Sequence, residues 1–127
     1  MAAVEISLTD REAQFMQVLW EQGPSTVAEV RDRLADRLAY TTVLTILRNL
    51  EAKGYVGHGE EGRAHRYAAR IAPEAARRSA LRALTRKLFK GSTELLLTQL
   101  VSDRGLSDTE VRRIRRLLEQ RGRKGGA

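Results

Sequence analysis

The 127-residue chain contains no cysteine. Disulfides, thiol nucleophiles and cysteine-based metal or redox centres are therefore excluded. Histidine is almost as scarce. His58 and His65 are the only two, and a pair of imidazoles without thiolates makes a weak zinc or copper site. No metal and no cofactor are expected. Long apolar runs are also missing: the longest extend over a few residues, far short of the ~20 that a spanning helix needs. The opening MAAVEISLTD carries acid and lacks the basic-then-apolar design of a signal peptide, so a cytoplasmic protein is expected. No Ser/His/Asp set and no paired-carboxylate pocket can be assembled, because every acid falls in a helix cap or on a polar helix face. An enzyme is not expected.

What is present is a folded, charged chain, 42% hydrophobic and 31% charged, with a formal net charge of +7. That excess invites a nucleic-acid reading, but its location matters. Residues 1–71 hold nine Lys and Arg against ten acids, a net of −1, whereas residues 72–127 hold 14 against six, a net of +8. Composition alone does not establish DNA binding. The arrangement of side chains has to carry it.

Three capping boxes mark helix starts. Thr9-Asp10-Arg11-Glu12 opens the first helix, expected to run to about Gln22 and to stop at Gly23-Pro24, with Ala13, Met16, Leu19 and Trp20 at helical spacing. Thr26-Val27-Ala28-Glu29 opens the second, ending near Ala35, with Val27, Val30 and Leu34 inward. A third helix follows from about Ala39 to Lys53. Two short strands are then expected, Tyr55–His58 and Arg63–Ala68, joined by a turn over Gly59-Glu60-Glu61-Gly62. Pro73 and Glu74 suit a fourth helix start, and this helix should stop at Lys90-Gly91. A short apolar helix over Leu95–Val101 comes next. Ser107-Asp108-Thr109-Glu110 caps the last helix, and the tail RGRKGGA reads as flexible.

The stretch from Tyr40 to Tyr67 is the most informative. At about 100° per residue, Val43, Ile46, Leu47 and Leu50 cover one side of the third helix. Thr41, Thr45 and Arg48 lie opposite, flanked by Leu44 and Asn49. Such a face suits a major-groove floor, where arginine can pair with guanine, asparagine with adenine, and a Thr or Leu methyl can touch thymine. Thr42 sits at the boundary and is better placed for a phosphate. In the hairpin, Arg63, His65 and Arg66 can reach a neighbouring phosphate or the minor groove, while Tyr55 and Tyr67 should close the core beneath. Glu60 and Glu61 should point away from the DNA. The expected fold is mainly α with a small β wing, a winged helix-turn-helix domain followed by a C-terminal helical domain.

The C-terminal half reads as three helices with narrow apolar stripes: Leu81, Leu84 and Leu88; Leu96, Leu97 and Leu100 beside Leu95; and Val111, Ile114, Leu117 and Leu118. Stripes so narrow cannot enclose a core in so short a segment, and a second copy of the chain is the simplest cover. The expected organisation is a DNA-binding domain over 1–71, a dimerisation domain over 72–120 and a basic tail over 121–127.

These residues resemble the penicillinase-repressor family, the BlaI/MecI/CopY group of bacterial winged-helix regulators. The resemblance covers roughly Leu8 to Leu118 and rests on LTDREAQFMQVLW, YTTVLTILRNLEAKGYV, GRAHRYA and GLSDTEVRRIRRLL, in that order and spacing. It implies a homodimeric repressor on a palindromic operator in double-stranded DNA, with Thr41, Thr42, Thr45 and Arg48 on the contacting helix and Arg63 on the wing. Three features depart from the group. The C-terminal cysteine pairs of copper-sensing members are missing, which argues against copper induction. The stretch near Thr98-Gln99 lacks the Asn-Phe type of bond that a membrane-bound sensor protease cuts in β-lactam-responsive members. Asn49 stands where many members carry a second arginine. A winged-helix module for protein contacts, favoured by the near-neutral charge of residues 1–71, is the alternative.

Overall fold

The structure, a computed structural model, describes residues 5–62, 64–103 and 105–125. It contains helices α1 (Asp10–Gln22), α2 (Val27–Arg33) and α3 (Tyr40–Ala52), strands β1 (Val56–Glu61) and β2 (Ala64–Ala69), and helices α4 (Pro73–Leu88), α5 (Thr93–Asp103) and α6 (Asp108–Gly125). The chain forms two compact units, Met1–Ala83 and Leu84–Ala127.

The helix starts follow the local chemistry. Thr9 Oγ1 accepts from the Glu12 N–H at 3.1 Å while Glu12 returns a bond to the Thr9 N–H at 2.9 Å. Thr26 and Glu29 do the same at 3.2 and 3.0 Å, and Ser107 and Glu110 at 3.1 and 3.2 Å. Each box satisfies two backbone donors that a helix end leaves unpaired. α3 has no side-chain cap: its N-cap, Ala39, only turns the extended backbone into the helix. α3 ends where Gly54 takes φ 84°, a left-handed conformation that favours glycine, and the Tyr55 N–H closes on the Leu50 carbonyl at 3.0 Å.

The core of the first unit is one cluster: Phe15, Met16, Val18 and Leu19 from α1, Val27 and Val30 from α2, Val43, Leu47 and Leu50 from α3, with Tyr55, Val56 and Tyr67. Both tyrosines lie under the hairpin, as expected. One expected core position differs, and Leu34 is inward as expected but from outside the helix. Ala13 is exposed. Leu34 leaves the helix at ψ 143° and packs against the cluster from the loop, which ends α2 at Arg33 rather than near Ala35.

The wing also differs from expectation. Strand pairing runs from Val56↔Ala69 to Glu61↔Ala64, so the four-residue Gly59–Gly62 turn is replaced by a two-residue connection. Gly62, at φ 64°, supplies the left-handed residue that so tight a loop requires. Cross-strand contacts of His58 and Glu60 with Tyr67 and His65 outweigh the weak strand preference of the intervening glycine. The hairpin gains a third partner, because Ser25 exchanges both backbone hydrogen bonds with Tyr67, at 2.9 and 2.8 Å.

The first unit extends past residue 71. Trp20 Nε1 donates to the Ile71 carbonyl at 2.8 Å, and Ser79 Oγ in α4 accepts from the Ile6 N–H at 2.7 Å. In the second unit, Lys90 and Gly91 both have positive φ and end the α4 region where expected. α5 is longer than the Leu95–Val101 expected. α6 continues to Gly125, correcting the expected flexible tail from 121; its glycine content is overridden by the run of Arg, Gln and Leu before it. Gly126 and Ala127 lie outside the described residues.

Candidate nucleic-acid interface

α3 buries Val43, Leu47 and Leu50 completely and turns Thr41, Thr42, Thr45, Arg48 and Asn49 to the surface. Leu44 is half-buried and packs on the core edge. Arg48 and Asn49 have no side-chain hydrogen bond or ion pair among the described residues. Thr45 is different: its Oγ1 donates to the Thr41 carbonyl at 2.8 Å, so the hydroxyl serves the helix backbone and its methyl remains for an outside contact.

Three other cations of the first unit pair with acids around the α1–α2 core. Lys53 Nζ lies 2.7 Å from Glu12, Arg11 2.8 Å from Asp36 and Arg66 2.9 Å from Glu29. Glu12 is buried, which by itself would raise its pKa. The Lys53 ammonium and the Thr9 N–H and hydroxyl more than offset this and hold it below the usual glutamate range. Glu29 is likewise lowered, by the Thr26 N–H first, then the Thr26 hydroxyl and Arg66. Both carboxylates are held charged where they anchor α1 and α2.

On the wing, the rings of His58 and His65 stack at 4.9 Å with 7° between planes. His58 Nδ1 meets Glu51 at 2.6 Å, and His65 lies 3.6 Å from Glu60. Glu60 thus turns toward its own hairpin. No group of three or more possible metal ligands occurs among the described residues. Arg66 leans to α2 instead of the hairpin tip. Arg63, assigned to the wing contact, lies outside the described residues, as does the side chain of Glu61.

A groove of about 520 Å³ connects these elements. Thr26, Val27 and Ala28 of the α2 start form one wall, Tyr40, Leu44 and Arg48 of α3 another, and Ala64, His65 and Tyr67 of β2 the third. Arg48 and His65 both line the groove. Tyr40, 49% exposed, was not among the expected contacts. Its i, i+4, i+8 spacing with Leu44 and Arg48 was the available signal, since such residues form one row along a helix. The α2 start could not be found this way, because only tertiary packing places it beside β2.

Of the residues assigned to assembly, Leu81, Leu84, Leu88, Leu97, Leu100, Ile114, Leu117 and Leu118 are exposed, between 38% and 67%. Val111 is half-buried. Leu96 is 7% exposed and is covered by the chain's own residues.

Three helices, a two-stranded hairpin and an outward-facing third helix define a winged helix-turn-helix protein. The chain belongs to the penicillinase repressor family, which it matches over residues 8–120, a family of regulators rather than enzymes. It is 45% identical over 64 residues to the transcriptional regulator BlaI of Mycobacterium tuberculosis, a match covering 48% of this chain and 46% of the relative. The chain thus spans about half the length of the curated relatives it matches. Among solved structures it is similar to the Bacillus licheniformis BlaI monomeric form in complex with the blaP half-operator. The identity is 27% and the TM-score 0.50, over 57% of this chain and 90% of that one. The DNA-binding domain of the repressor BlaI is similar too, at 26% identity and TM-score 0.50, over 58% and 93% of the two chains.

Proposed function

We propose that this chain is a homodimeric transcriptional repressor that reads a palindromic operator in double-stranded DNA. The observation that carries this reading is Arg48. It is exposed at the centre of the outward face of α3 and has no internal partner among the described residues. An arginine held this way can give both donors to a guanine edge. Thr41, Thr45, Leu44 and Asn49 would meet neighbouring bases, Thr42 a phosphate, and Arg63 and His65 the backbone beside the wing, which Arg66 would join only by exchanging Glu29 for a phosphate. The similarity to a BlaI chain bound to a half-operator supports this arrangement.

Assembly would occur through the exposed leucines of α4, α5 and α6. Placing two readers on one duplex raises the effective concentration of the second, so a dimer holds a palindrome far better than a monomer holds a half-site. Residues 72–120 would form this domain, and the place of action would be the bacterial cytoplasm. No described helix is long and apolar enough to cross a membrane. If a membrane-bound sensor protease releases the repressor by cutting near Thr98, α5 must first unwind, because Thr98 Oγ1 donates to the Glu94 carbonyl at 2.8 Å in mid-helix.

The test is a titration of labelled duplexes, one selected by the chain from a random pool and one unselected. A strong preference for the selected duplex is expected. Equal, weak binding to both would instead favour the protein-contact module, for which the −1 charge of residues 1–71 speaks.

A further inference from the structure

Residues 1–71 carry a net charge of −1, yet a protein that holds duplex DNA draws much of its affinity from cations that displace counterions. Residues 72–127 hold the excess, at +8. Within them, α6 separates its charges sharply. Val111, Ile114 and Leu118 form one stripe. Arg112, Arg113 and Arg116 lie diametrically opposite, in an arc of about 100°. No acid falls within that arc; Glu119 and Asp108 border one edge of it, and Glu110 lies about 60° beyond the other. All three arginines are exposed, and none has a hydrogen bond or ion pair among the described residues. Arg112 and Arg116 are four residues apart, and Arg113 and Arg116 three, spacings at which like charges repel and weaken a helix.

We propose that Arg112, Arg113 and Arg116 form a second contact surface of this protein, one that takes the phosphate backbone of duplex DNA without regard to sequence. The proposal rests on the DNA-binding reading of α3 and adds to it a source of affinity outside the winged helix. Duplex DNA offers about one negative charge per 1.7 Å of axis, the density such a cluster matches. An acidic lipid surface is the weaker fit. α6 has no Trp or Phe to seat at a headgroup boundary, and a membrane would claim the same apolar stripe that the proposed assembly uses.

The full-length chain and its Arg112→Gln/Arg113→Gln/Arg116→Gln variant should be titrated over a range of salt. The probes are a duplex selected by the wild-type chain, a random duplex of equal length, and phosphatidylcholine vesicles with and without phosphatidylserine. The expected result is that the slope of log affinity against log salt falls by about 0.9 for each phosphate that the variant no longer neutralises. Selected and random duplexes should lose affinity by the same factor, on the order of ten- to a hundredfold near physiological salt. Arg→Lys at all three positions should restore most of the slope, since charge rather than fork geometry is used. Unchanged slopes in a variant of wild-type helicity overturn the proposal, and so does a loss confined to vesicles. Should the wild-type chain bind no duplex, the reading of α3 falls with it. If wild-type binding is strong and the variant matches it, only the second surface falls.

Discussion

Arg66 in β2 reaches Glu29 at the start of α2, with Nη1 2.9 Å from Oε1, and the same oxygen accepts the Thr26 N–H at 3.0 Å. One carboxylate therefore joins a helix cap to the wing. The Ser25–Tyr67 bridge lies alongside, so two independent links fix the hairpin against the α1–α2 connection.

The Arg66–Glu29 pair is exposed, and its own strength should be small. In a double-mutant cycle of Arg66→Ala and Glu29→Ala on thermal stability, the coupling should shrink further as salt is raised. Glu29→Ala should be the more damaging single change, because it also removes half of a capping box. Equal effects of the two would show that the cap contributes nothing.

Stability should depend on pH through Glu12. Its folded pKa is depressed, so its stabilising contribution is fully present above the unfolded value of about 4.3 and is lost as pH falls through the lower folded value. Thermal unfolding midpoints should stay level above about pH 5 as far as this group is concerned and decline below it. Glu12→Gln should cost about 1–2 kcal/mol at neutral pH, through the weakened cap and the lost Lys53 pair, and should flatten the acid decline. An unchanged decline in the variant would assign it elsewhere.

Arg48→Ala should cost about 1–3 kcal/mol on the selected duplex and relax discrimination at one base pair. Thr45→Val should retain most of the affinity, because the hydroxyl is engaged with Thr41 and the methyl is kept, whereas Thr45→Ala should lose more. Binding isotherms at fixed salt check all three. If Thr45→Val is the worse of the two, the hydroxyl is used by the DNA.

A fragment ending at Ala83 should be a folded monomer, and one ending at Arg70 should be less stable. The shorter piece loses the Ile71 carbonyl that Trp20 uses and the Ser79 hydroxyl that holds Ile6. Two lost hydrogen bonds amount to about 1–3 kcal/mol. Sedimentation should find the full chain dimeric, and Leu118→Glu, which places a charge on the α6 stripe, should shift it toward monomer. A full chain that sediments as a monomer rules out the proposed assembly.

Helix starts, the outward face of α3 and the stop at Gly54 were readable from the sequence, because each depends on residues within about a turn or two of one another. Caps, amphipathic spacing and a left-handed glycine act at that range, and the same locality lets the apolar stripes of α4, α5 and α6 be picked out. Leu96 could not be separated from its neighbours, since spacing tells which residues share a face but not how deeply each is covered. The two-residue wing loop, the Ser25–Tyr67 bridge, the Arg66–Glu29 pair and the Trp20–Ile71 bond were settled only by the tertiary structure. The last two join positions 37 and 51 residues apart, and strand register depends on which side chains meet across the hairpin. Nothing in the local sequence specifies such meetings. They arise when burying one common core brings α1, α2, α3 and the wing together, and the groove beside Arg48 is a product of that packing.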